Sequence, residues 1–79
     1  MQPEERKDRI AYLRDRLVEK FGQVGVWTND DMNPATPIVA RVTWPGMKTH
    51  TFRAWTLKQT KEELANDAIA FLAKQRGRD

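Results

Sequence analysis

Between Ile38 and Leu57 the chain reads IVARVTWPGMKTHTFRAWTL, two runs that alternate with period two on either side of Trp44-Pro45-Gly46-Met47-Lys48. Such alternation specifies two antiparallel strands, each with one face toward a core and one toward water. No other part of the sequence alternates on both sides of a turn signal, so the remaining elements must pack around this pair. Pro-Gly favours a type II turn, which fits poorly in a two-residue hairpin, so a longer loop including Met47 and Lys48 is predicted. In the first run Ile38, Ala40, Val42 and Trp44 share a face, and Val39, Arg41 and Thr43 share the other. In the second, Phe52 and Ala54 oppose Thr51, Arg53 and Trp55.

The flanking segments predict helices. Over residues 3–21, Ile10, Leu13, Leu17 and Phe21 recur at helical spacing, with Ala11 and Val18 widening the stripe and Arg6, Asp8, Arg9, Arg16 and Glu19 falling mostly elsewhere. Those charges are expected to form solvated i,i+4 pairs. Pro3, Glu4 and Glu5 suit a helix start, and Gly22 suits a left-handed stop. Residues 23–28 alternate as a short first strand, and residues 29–37 are dense in turn formers. Their aspartates lack the glycine and terminal glutamate of a calcium-binding EF-hand loop. Thr60-Lys61-Glu62-Glu63 is a capping box that opens a second helix over about residues 61–76. Its stripe is Leu64, Ala68, Phe71 and Leu72, with alanines at 65, 68, 70 and 73 allowing close approach to the sheet; Gly77 is expected to end it and Arg78-Asp79 to fray.

The resulting order is α-β-β-β-α in a single α+β domain over residues 1–79, with strands at about 23–28, 38–44 and 49–57. Two amphipathic helices can both bury their stripes on a small antiparallel sheet by sharing one face of it. Helix, three strands and an alanine-rich final helix resemble double-stranded RNA-binding domains over nearly the whole chain. Those domains place a lysine pair at the start of the last helix. Here that start is Lys61-Glu62-Glu63-Leu64-Ala65, so no RNA contact is carried over. The stretch from Arg41 to Phe52 also resembles the strand pair of the arm-binding domain of phage tyrosine recombinases, over about a third of the chain. Both resemblances concern architecture alone.

Composition narrows the function. The chain has no serine, no cysteine and one histidine, His50, so the usual nucleophile–base pairs and thiolate metal sites are excluded. Glu4/Glu5, Asp30/Asp31 and Glu62/Glu63 lie at helix starts and in a loop, where dipole and turn chemistry account for them. No glycine-rich phosphate loop or metal-ligand spacing is present. A non-enzymatic chain without a cofactor is expected. The charged N-terminus is unlike a signal peptide and no apolar run suits a membrane span, so a soluble cytoplasmic protein is expected.

The face left over by the helices carries Trp27, Val39, Arg41, Thr43, Thr51, Arg53 and Trp55. Together with Lys48, His50 and Lys58 as phosphate contacts, Trp27, Arg41, Thr43, Arg53 and Trp55 make a candidate binding site. Aromatic rings stack on bases while arginines meet phosphates, which suits nucleic acid or a protein complex that handles it. Trp and Arg also anchor protein interfaces, which suits a small inhibitor or adaptor, for instance a phage-encoded anti-CRISPR-type protein. A cross-strand Trp/Arg stack without a ligand, or a homodimer burying Trp27 and Trp55, would use the same residues.

Overall fold

The computed structural model describes residues 3–78, and Asp79, placed in the frayed end above, lies outside them. Helix α1 (Pro3–Phe21) is followed by strands β1 (Gly25–Thr28), β2 (Ile38–Thr43) and β3 (Thr49–Ala54), then helix α2 (Lys61–Arg78). The strands form one antiparallel sheet in the order β1-β2-β3. Trp27 pairs with Arg41 and Arg41 with Thr51, while Val26 pairs with Val42 and Val42 with His50. Alternation therefore holds in register across all three strands.

Ile10, Leu13, Leu17 and Phe21 of α1, Ile38, Ala40 and Val42 of β2, Trp44, and Leu64, Ala65, Ala68 and Leu72 of α2 form one buried cluster. Val24, Val26, Phe52 and Ala54 pack against it as partly buried neighbours. Both helices lie on this face and the opposite face is left to water.

Local signals account for most boundaries. Gly22 adopts φ +69° and donates its N–H to the Val18 carbonyl at 2.8 Å, closing α1 as a left-handed stop. Trp44 accepts from the Met47 N–H at 3.0 Å, with Pro45 second in the turn and Gly46 third at φ +75°. That is a type II turn within the longer loop expected of this hairpin. The capping box forms: the Glu63 N–H donates to Thr60 Oγ1 at 3.2 Å, and the Thr60 N–H to Glu63 Oε1 at 3.5 Å.

Several details differ from the sequence reading. β1 begins at Gly25 because the Val24 N–H is turned back onto the Gly22 carbonyl, and Gly25 already meets the last residue of β2, Thr43. β2 stops at Thr43 since Trp44 opens the turn. β3 stops at Ala54 because its partner Ile38 begins β2. Ala11 and Val18 of α1 are exposed; Tyr12 and Arg16 flank its buried stripe instead, turned toward α2. In α2, Ala65 and Ala68 are buried but Ala70 and Ala73 are exposed, and Phe71 is half-exposed beside Phe52 at 6.0 Å. Gly77 does not end α2: the helix runs to Arg78 and Gly77 lacks a positive φ.

The charges of α1 also reach further than i,i+4 pairing. Glu5 and Arg9 do form such a pair at 3.9 Å, but Asp8 meets Lys61 of α2 at 3.4 Å and Arg14 meets Asp30 at 3.0 Å. Arg6 is fully buried and donates to the carbonyls of Asp31, Thr36 and Pro37, pinning the 29–37 loop. Within that loop Asp31 Oδ1 accepts from the Asn33 N–H at 2.8 Å. That bond, one from the Thr36 side chain and the Arg6 charge hold the Asp31 carboxyl below its ordinary pKa of 3.8.

Candidate nucleic-acid interface

The outward positions are Gly25 and Trp27 on β1, Val39, Arg41 and Thr43 on β2, and Thr49, Thr51 and Arg53 on β3. Trp55 continues β3 in the same parity. Period-two geometry puts these side chains on one side of the sheet. Trp27 is 46% exposed and Trp55 55%, the highest values among the chain's three tryptophans, since Trp44 is buried.

Direct cross-strand pairing brings Trp27 and Arg41 together. The Arg41 guanidinium carbon lies 3.9 Å from the centroid of the Trp27 ring, a stacked cation–π contact. At the hairpin end Thr43 Oγ1 and Thr49 Oγ1 share a hydrogen bond of 2.7 Å, so these hydroxyls are occupied with each other. Trp55 has no ring or cation against it among the described residues.

The arginines of α1 and those of the sheet differ in their partners. Arg6, Arg9, Arg14 and Arg16 of α1 all donate to protein acceptors. Arg41 and Arg53 of the outer face donate to none among the described residues, and neither has a carboxylate within ion-pair distance. The sequence supplies the reason: from Met32 to Thr60 it contains Arg41, Lys48, Arg53 and Lys58 but no aspartate or glutamate. A guanidinium there has no acid on its own or a neighbouring strand with which to pair.

Of the eight candidate site residues, Trp27, Arg41, Thr43 and Arg53 share the outer face, with Trp55 at its margin. Lys48 and Lys58 are exposed in the segments before and after β3. His50 does not belong with them. It pairs with Val42, its ring lies 5.8 Å from that of Trp44, and it is half-buried on the helix side. Positions 48, 50 and 52 have the opposite parity to 49, 51 and 53, so a histidine between Thr49 and Thr51 is turned away from the outer face.

Arg78 was not among the candidates. It lines, with Gly46, Met47 and Lys48, a shallow notch of about 330 Å³ at the β2–β3 hairpin. Nothing in the local sequence signals this, because it depends on how far α2 runs and where it lies on the sheet. Among the described residues there is no group of three or more His, Asp or Glu arranged to hold a metal ion, and no helix is long and apolar enough to cross a membrane. No family model, curated protein or solved structure matches the chain.

Proposed function

We propose that this chain is a small non-catalytic module that binds nucleic acid through the outer face of its sheet. The observation that carries this reading is that the arginines of α1 are bonded within the fold, while Arg41 and Arg53, side by side on an acid-free sheet face, keep their donors for something outside it. A phosphate backbone supplies such acceptors in a row, and arginine meets phosphate with two parallel N–H bonds. The acid-free span from Met32 to Thr60 removes the repulsion that would otherwise oppose a polyanion. The lack of serine and cysteine in the sequence supports a binding role over catalysis.

The test is affinity for a polynucleotide as a function of salt. Each phosphate neutralised releases counterions, so affinity should fall linearly with salt on logarithmic axes. Replacing Arg41 and Arg53 together by alanine should weaken binding and flatten that slope by about two phosphate contacts. An unchanged slope in the double variant would remove the outer face from consideration.

A second reading, a protein-binding inhibitor or adaptor, is favoured by Trp55 and Leu57, which are 55% and 67% exposed two positions apart. Large apolar side chains exposed together mark interaction sites, and a tryptophan anchor is worth about 2 kcal/mol or more in a protein interface. Binding of that kind would vary little with salt and would depend on Trp55 more than on Arg53.

A further inference from the structure

Resting on the nucleic-acid reading, we infer that the outer face takes an unpaired strand, with one base stacked on the Arg41 guanidinium and a second on Trp55. Arg41 is exposed, and its guanidinium is already stacked on the Trp27 ring at 3.9 Å. A guanidinium is planar, so with the indole on one side its other side is a ready platform for a base. Trp27 thereby acts as a positioning residue, fixing the plane of Arg41 before any ligand arrives. Trp55, with no partner ring or cation among the described residues, offers a bare indole face.

The strand so held must be unpaired. Base faces are available for stacking only outside a duplex.

Arg41 is opposite Thr51, and Trp55 lies four positions beyond Thr51. At about 3.3 Å per residue and one strand spacing of about 4.8 Å, the two platforms are about 14 Å apart. Stacked bases rise about 3.4 Å each, so the platforms hold bases that are not neighbours in a stack, with an extended backbone between them. Arg53 lies between the platforms and is available to that backbone.

The experiment uses the full chain and three probes: an oligothymidylate strand, the same strand annealed to its complement, and an abasic strand of equal length. Binding is followed by anisotropy and tryptophan emission at two salt concentrations. The expected result is tighter binding of the oligothymidylate than of either other probe, with quenching of emission. Trp55→Ala should weaken it about 5- to 150-fold, the range for loss of one stacked base. Arg41→Lys, which keeps the charge and loses the plane, should weaken the oligothymidylate by a larger factor than the abasic strand. Circular dichroism and the urea midpoint of each variant establish that it is folded. Equal or tighter binding of the duplex overturns the unpaired-strand inference and leaves the nucleic-acid reading standing. Equal binding of the abasic strand overturns the stacking and leaves a phosphate-only contact. Failure of all three probes to bind overturns the nucleic-acid reading itself.

Discussion

The Arg6 guanidinium reaches loop carbonyls 25 to 31 residues away in sequence, and it is the only fully buried charged side chain in the described structure. A buried cation is tolerated here because its donors meet backbone oxygens of a loop that has no strand to pair with. Arg6→Met keeps the aliphatic stem and removes the donors, leaving those carbonyls without their partner. It should lower stability by about 2–3 kcal/mol, read as a shift of the urea midpoint with little change in slope. Arg6 was legible in principle: it stands four residues before Ile10, so 6, 10, 13 and 17 are one helical stripe. A search for apolar residues passes over it, because only the tertiary position of the loop turns an arginine at that site into an interior group. His50 shows the opposite case, where parity alone fixed its side of the sheet and chemical character suggested the wrong one.

At the level of elements, the two helix ends separate what glycine does from where it stands. Gly22 has φ +69°, which an alanine adopts at a cost, whereas Gly77 lies within α2 with nothing within 4 Å of the place an added methyl group would take. Gly22→Ala should therefore destabilise by about 1 kcal/mol, and Gly77→Ala should stabilise by about 0.4–1 kcal/mol, both measured by thermal or urea unfolding. The helix order, the strand parity and the capping box were legible because each rests on residues within a few positions of one another. Strand ends were less so: β3 stops where its partner β2 begins, a limit set across the sheet rather than along the chain. The flanks of both helical stripes were misjudged at Ala11, Val18, Ala70 and Ala73 for a related reason. A stripe's centre is set by spacing, but its width is set by which neighbour packs beside it.

Across the whole molecule the sheet separates the buried core from the face proposed for binding. Buried side chains are on the helix face, while Arg53 is exposed on the other and Trp55 is exposed just beyond the end of β3. Arg53→Ala should leave unfolding within about 0.5 kcal/mol of the parent while weakening polynucleotide binding, and Leu13→Ala should cost about 2–5 kcal/mol. Unfolding and binding measured on the same two variants check both halves. The outer-face set was legible from alternation, but the stacking of Arg41 on Trp27 needed the register, which places position 27 opposite 41. One consequence concerns copies of the chain rather than its ligands. β3 pairs with a strand on one side only, and a bare β-edge invites a second molecule to add itself there. Lys48 before the strand, Arg53 within it and Lys58 beyond it put like charges along that margin, so two molecules approaching edge to edge repel before their backbones can pair.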